Sequence, residues 1–148
     1  MKKFYDTSSL LLIEDKLFKN SNDTIIISSI TLKELENIKT SMNKDARIKY
    51  SARKLLHLLD ENSDKYICHI YKNYMDETLT RNSLEITNDT RILATAFDYY
   101  NKIKEKDDFY FITNDMALKM LSSIYFKPYQ ILKINISNDD EYSGYLEV

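Results

Sequence analysis

Strand-like and helix-like runs alternate along this chain of 148 residues, and that alternation limits its fold more than any other feature. Lys3 to Tyr5 reads as a short buried strand, followed by a helical run from about Ser9 to Lys19. Thr24-Ile25-Ile26-Ile27-Ser28 is β-branched and bounded by polar residues, so it reads as a second strand. A helix follows from Thr31, with Leu32, Leu35 and Ile38 on one face. The most regular pattern runs from Asp45 to Asn62, where Ile48, Ala52, Leu55, Leu56 and Leu59 form one stripe. Tyr66 to Tyr71 reads as a strand, while Lys72 to Leu84 carries no decisive period. Asp89 then opens a helix bearing Ile92, Leu93, Ala96, Phe97 and Tyr100. Phe109 to Thr113 reads as a strand, Asn114-Asp115 opens another helix through Met116, Met120 and Leu121, and Tyr129 to Ile136 supplies a last strand. Such an order implies an α/β fold, with a mostly parallel sheet covered on both faces and right-handed crossovers. Residues 1–136 are expected to form one domain and 137–148 a tail.

Composition removes several chemistries. Gly144 is the only glycine, so a Walker P-loop, a dinucleotide fingerprint and a G-x-S-x-G elbow are all excluded. Cys68 is the only cysteine, and His57 and His69 are the only histidines, which excludes a thiolate zinc cluster and a multi-histidine site. Catalysis would have to come from carboxylates, hydroxyls and lysines. No apolar run approaches the roughly 20 residues that span a bilayer, and Glu14-Asp15-Lys16 interrupts the apolar start, so a cytoplasmic location is expected. The net charge of −2 gives no support to a strongly basic nucleic-acid binder, although a cluster of acids is itself acidic until a cation occupies it.

Three acids fall where carboxyl ends of strands are expected: Asp6 after the first, Asp115 after the Phe109–Thr113 run, and Asp89 where a polar turn enters a helix. Glu34 lies about one turn into the helix after the second strand and can face the same edge. Each has a structural explanation when taken singly. Thr31 and Glu34 match a T-x-x-E capping box, and Asp6, Asp89 and Asp115 suit helix N-caps. Caps do not explain why all four should gather at one edge, where they would repel without a counterion. Hard cations such as Mg²⁺ or Mn²⁺ prefer oxygen ligands and suit phosphodiester hydrolysis.

Four segments together resemble the motifs of the PIN-domain nucleases. Phe4-Tyr5-Asp6-Thr7-Ser8-Ser9-Leu10-Leu11 looks like the first motif, and Ser28-Ser29-Ile30-Thr31-Leu32-Lys33-Glu34-Leu35-Glu36 is similar to the second. Asn88-Asp89-Thr90-Arg91-Ile92-Leu93-Ala94-Thr95-Ala96 looks like the third, and Phe111-Ile112-Thr113-Asn114-Asp115-Met116-Ala117-Leu118 like the fourth. The resemblance implies a three-layer α/β/α PIN-like fold and an endoribonuclease, dependent on Mg²⁺ or Mn²⁺, that acts on single-stranded RNA. It implies Asp6, Glu34, Asp89 and Asp115 as catalytic, metal-binding acids, with Thr113 and Ser8 as supporting hydroxyls. Many family members have asparagine at the Ser8 position. Glu36 is set aside, because two residues turn about 200° around a helix and only one of Glu34 and Glu36 can face the site. The tail Asp139-Asp140-Glu141-Tyr142-Ser143-Gly144-Tyr145-Leu146-Glu147-Val148 resembles the segment joining an N-terminal PIN domain to a PhoH-type ATPase, and Thr31 to Lys39 looks like the same subgroup. Implied partners are therefore single-stranded RNA, a covalently linked PhoH-type ATPase domain and a second copy of the chain, with no membrane.

Lys44, Arg47, Arg53 and Lys119 are candidate RNA contacts, weighed against a plain solvated helix face. Two other enzyme or binding patterns fit poorly. A phosphatase of the haloacid dehalogenase type needs a second aspartate two positions after Asp6, where Ser8 stands, and a D-x-S-x-S adhesion site meets Leu10 at its last position. The main rival is a PIN-like domain that binds RNA or protein without cutting.

Overall fold

Four of the five parallel strands run, at one edge of a single sheet, straight or within a few residues into a helix. This computed structural model describes residues 1–20, 22–135 and 145–147. In chain order the elements are β1 (Lys2–Tyr5), α1 (Thr7–Ile13), β2 (Thr24–Ser28), α2 (Ser29–Thr40), α3 (Ala46–Glu61), β3 (Ile67–His69), α4 (Asp76–Arg81), α5 (Asn88–Lys102), β4 (Phe109–Ile112), α6 (Met116–Ser122), β5 (Ile131–Asn135) and β6 (Tyr145–Glu147). The sheet order is β3-β2-β1-β4-β5-β6, with the first five strands parallel and β6 antiparallel to β5.

Alternation along the strands builds two cores. Tyr5, Ile25, Ile27 and Ile112 face one side and pack with Leu10, Leu35, Ala52, Leu55 and Leu59 of α1, α2 and α3. Phe4, Ile26 and Phe111 face the other and pack with Ile92, Leu93 and Ala96 of α5 and Leu118 of α6. With both faces covered, strands become almost wholly apolar, which is why they read as short hydrophobic runs. The second core is aromatic: Phe126 sits 5.2 Å from Phe109 and 5.7 Å from Phe111, ring centre to ring centre. Met75, Leu79 and Ala94 join α4 to the outer side of α5. The result is the expected three-layer α/β/α arrangement. Among the described residues no helix is long and apolar enough to cross a membrane.

β1 lies between β2 and β4, so the chain leaves it in both directions across the sheet. In open α/β sheets this reversal opens a crevice at the carboxyl ends of the strands, here the ends carrying Asp6 and Thr113.

Several local expectations change. α1 stops at Ile13, where Glu14 turns to a positive φ of 49°, and a 3₁₀ turn over Glu14–Lys16 replaces the continued helix. α2 starts at Ser29 because the Ser28 hydroxyl accepts from the Ile30 N–H at 3.1 Å. Glu34 is therefore not half of a capping box with Thr31. α5 is capped by a reciprocal Thr87–Thr90 pair, so Asp89 sits inside the first turn rather than at the cap. β3 is shorter than the Tyr66–Tyr71 run, and the stretch without a period forms a 3₁₀ turn (Asn73–Met75) followed by α4. The 137–148 tail lies outside the described residues except for 145–147, which form β6 along the outer edge of β5.

Candidate metal centre

Asp6 follows β1 directly and caps α1, its oxygens held by donors from two strands' ends. The Ser9 N–H donates to Oδ1 at 2.9 Å, the Ser8 hydroxyl reaches both oxygens at 3.0 and 2.9 Å, and the Thr113 hydroxyl donates to Oδ2. Thr113, fully buried at the end of β4, accepts in turn from the Asp115 N–H at 3.0 Å. Asp115 caps α6 by accepting from the Leu118 N–H at 2.9 Å. The parallel pairing of β1 with β4 thus brings Asp6 and Asp115 together through one threonine hydroxyl.

Glu34 joins from the other neighbouring strand. The buried Thr7 hydroxyl, next in sequence to Asp6, donates to Glu34 Oε1 at 2.6 Å and lies 3.1 Å from Thr31 Oγ1. One hydroxyl has one proton, and the shorter contact to a charged acceptor claims it. Asp89 projects from the first turn of α5 with one side open to solvent.

Electrostatics tie the four together. Burial raises the Asp6 carboxyl above its usual 3.8, against the bonds from Thr113, Ser9 and Ser8 that lower it. Glu34 is raised above 4.5, first by burial and then by the negative charges of Asp89 and Asp6, while bonds from Thr7 and Asn88 pull it down. Asp89 is raised above 3.8 by partial burial, with the charge of Asp115 second. Carboxylates that resist ionising first because they are buried and then, for Glu34 and Asp89, because of neighbouring carboxylates form a site that favours a cation.

The donors are all carboxylate or hydroxyl oxygens, which fits Mg²⁺ or Mn²⁺ and not a soft metal. As placed, however, among the described residues no three His, Cys, Asp or Glu side chains are gathered closely enough to hold a metal ion. Mg²⁺ usually keeps several waters and takes only one or two carboxylates directly, so a looser ring of acids still suits it.

A cleft of about 260 Å³ opens beside the acids, lined by Thr113, Asn114, Asp115, Met116, Lys119 and Lys133. A larger cavity, about 420 Å³, lies at the opposite edge by Phe18, Asp23, Asp64 and Tyr66. Its buried carboxylate, Asp23, is already paired with Lys3 at 2.6 Å, so the larger space is not where charge is left to be met.

Of the basic candidates, only Lys119 lines this cleft. Lys44, Arg47 and Arg53 are exposed on or just before α3. Lys54 of that helix reaches Glu14 and Asp15 beyond the far end of α1, at 3.9 and 3.8 Å. Arg53 is the neighbour of Lys54 in α3, and Arg47 stands six residues earlier, about 9 Å along the helix at 1.5 Å per residue. Glu36 is exposed and paired with Lys39 at 2.8 Å. Sequence reading missed Thr7 as a partner of Glu34; its one signal was its place next to Asp6. It also missed Asn114, whose amide accepts from the Ile134 N–H and donates to the Ile134 carbonyl, both at 2.9 Å.

The comparisons agree with this geometry at the level of fold. A crystal structure of VapBC2 from Rickettsia felis, bound to a DNA fragment from their promoter, is similar with a TM-score of 0.52 and 17% identity, covering 91% of this chain and 100% of that one. Among curated proteins nothing matches. The family model described as "PIN domain" matches residues 4–125, which takes in all four acids. By that match over most of its length, the chain belongs to the PIN-domain family.

Proposed function

We propose that this protein is a divalent-metal-dependent endoribonuclease that cuts phosphodiester bonds of single-stranded RNA at the edge formed by Asp6, Glu34, Asp89 and Asp115. PIN domains are in general metal-dependent nucleases, and one observation carries the reading for this chain. Glu34 does not serve its own helix, whose cap is Ser28, but is held by Thr7 beside Asp6. A carboxylate turned from a structural task toward other carboxylates raises the local repulsion, and the arrangement makes sense where a cation relieves it.

Asp6, Glu34, Asp89 and Asp115 would hold Mg²⁺ or Mn²⁺, which when bound lowers the pKa of water and stabilises the phosphorane-like charge. Thr113 and Ser8 keep the Asp6 carboxylate in one orientation, and Thr7 does the same for Glu34. Asp89, the most open of the four, faces the side from which a strand can enter. The rival, a PIN-like module that binds RNA or protein without cutting, draws on the spacing of the acids, no three of which are gathered for a metal among the described residues. Incubation with labelled single-stranded RNA and Mn²⁺, with and without EDTA and beside Asp6→Asn, separates the two. Cleavage lost in EDTA and in the variant supports the nuclease; binding without cleavage supports the rival.

The tail's likeness to PhoH-type fusions adds a narrower proposal, that the domain works beside an ATPase that feeds it single strands. Its residues lie outside those described apart from β6. A downstream G-x-x-x-x-G-K-[ST] in the gene supports the fusion, and a stop codon after Val148 ends it.

A further inference from the structure

We infer that the apolar groove between α6 and the Pro128–Gln130 turn is a base subsite, which takes an unpaired nucleobase of the RNA strand near the linkage that is cut. It rests on the reading above that a single strand lies along the acids, and it extends that reading to what holds the strand there.

The groove measures about 360 Å³, in the range of small-ligand sites, and is lined by Met116, Lys119, Met120, Ser123, Pro128 and Ile131. Met116 and Met120 stand a turn apart on α6 and are 79% and 69% exposed, while Leu118 and Ser122 on the helix's other side are buried. Two large apolar side chains are thus left in water side by side at a concave place. Scattered singly they would mean nothing, but grouped they mark a surface that binds something.

One wall of the groove is fixed and the other adapts. Pro128 opens a 3₁₀ turn, and Gln130 pins it. The Gln130 amide donates to the carbonyls of Lys106 and Phe109 at 2.7 and 3.1 Å, and its oxygen accepts from the Lys127 N–H at 3.1 Å. The methionines have three rotatable bonds each and a polarisable sulfur that is attracted to aromatic rings. A slot built in this way can close on flat rings of different size.

Its occupant follows from where the groove leads. Met116 and Lys119 line both the groove and the cleft beside the acids, whose walls also include Thr113 and Asp115. Met116 is next in sequence to Asp115, and Met120 comes five residues on, about 7.5 Å along the helix at 1.5 Å per residue. A strand passing Asp115 reaches that point within about two nucleotides at a rise of roughly 3.4 Å each. In a single strand every phosphodiester is accompanied by an unpaired base with apolar faces. The chain has a net charge of −2 and four carboxylates at this edge, so charge does little to attract RNA. Stacking a base in an apolar groove attracts it whatever the charge, and tolerates any sequence because every base has a π-face.

The test uses the full chain carrying Asp6→Asn, so that the RNA survives, with Mn²⁺ present. Binding is followed by the anisotropy of fluorescein-labelled oligonucleotides in which an abasic nucleotide replaces each position in turn. Loss of the base at one position, close to the linkage that the wild type cuts, is expected to weaken binding about fivefold or more, the lower end of what a stacked base contributes. The penalty should be the same at low and at high KCl. Adding Met116→Ser and Met120→Ser should remove it, while Met116→Leu with Met120→Leu, which keeps the apolar surface, should retain it. An absence of binding or of any penalty overturns the subsite, as does a penalty that survives the serine pair or fades at high salt. A changed oligomeric state of the serine pair on size exclusion, with RNA binding and its penalty intact, would give the groove to a second copy of the chain and also overturns it. An oligonucleotide bound with the penalty near Asp115 yet left uncut by the wild type in Mn²⁺ supports the subsite and sinks the nuclease reading alone, so the two failures are told apart.

Discussion

Thr7→Val removes one hydroxyl and keeps the side chain's shape, which isolates what the Thr7–Glu34 bond does. The bond is 2.6 Å long and joins the start of α1 to α2. A hydrogen bond to a charged group contributes about 1.5–3 kcal/mol where water is excluded. Glu34 is only half-buried, so water replaces part of the loss, and about 1 kcal/mol is the expected cost. For a chain near this size that lowers Tm by about 2–4 °C. The effect on the site should be much larger. Outer groups that orient metal ligands are worth about 10–100-fold in metal affinity, because a carboxylate that swings freely must be ordered on each binding event. Mn²⁺ titration followed by the electron paramagnetic resonance of free aquo-ion reads affinity directly, and thermal unfolding in EDTA reads stability. The expected result is a 10–100-fold weaker Mn²⁺ affinity beside a small fall in Tm, with Thr7→Ser close to wild type on both. Unchanged Mn²⁺ affinity in Thr7→Val would refute the reasoning, and so would an equal loss in Thr7→Ser.

Asp6→Asn and Asp115→Asn should each remove most Mn²⁺-dependent cleavage with the circular dichroism spectrum preserved; undiminished cutting by both would place the activity elsewhere. The pH dependence of the metal-free protein has a defined sign. Asp6 and Asp89 titrate above 3.8 and Glu34 above 4.5 in the fold, so their contribution is present below those values and is lost as pH rises through the raised ones. Asp76, lowered mainly by its bond from Arg91, and Asp98, held below 3.8 by bonds from His69, Lys102 and Tyr74 that outweigh its burial, contribute the opposite way and are lost as pH falls through their lowered values. Tm in EDTA should therefore rise on mild acidification from neutrality and drop again in stronger acid, with a smaller rise in Asp6→Asn; a steady fall from neutrality in the wild type contradicts this. Phe111→Ala, in the middle of the aromatic core, should cost about 3–5 kcal/mol in urea unfolding, and a loss under 1 kcal/mol would mean that the core repacks around the gap.

The strands were legible because both faces of the sheet are buried, which turns each into a run such as Ile25-Ile26-Ile27 or Phe109-Tyr110-Phe111. Helix α3 was legible for the opposite reason: one face is buried and the rest is solvated, so Ala52, Leu55 and Leu59 stand out. Lys72 to Leu84 was not, since α4 is only six residues long and buries Leu79 against α5, too little to print a period. At the site, Asp6 could be placed from sequence because it directly follows β1, and Asp115 because it caps α6 three residues after β4. The capping box that Thr31 and Glu34 offered as a structural explanation does not form, because Ser28, one residue before the helix, makes the cap. The contacts of Thr7 and Asn114 were invisible in sequence, since each depends on a partner at least 20 residues away.

The pairing of the first strand with β4 also sets a clock on synthesis. Asp6 meets Thr113 across a separation of 107 residues. At the usual 5–20 residues per second, roughly 5–20 s pass between the emergence of the first acid and of the last. During that time β1 can pair only with β2, and the nascent chain exposes the apolar edge that β4 will cover. Long-range parallel pairing is slow to form even when all of the chain is present. The acidic edge is thus assembled late, by the event that pairs β1 with β4, and a ribosome-bound fragment ending before β4 lacks both Thr113 and Asp115.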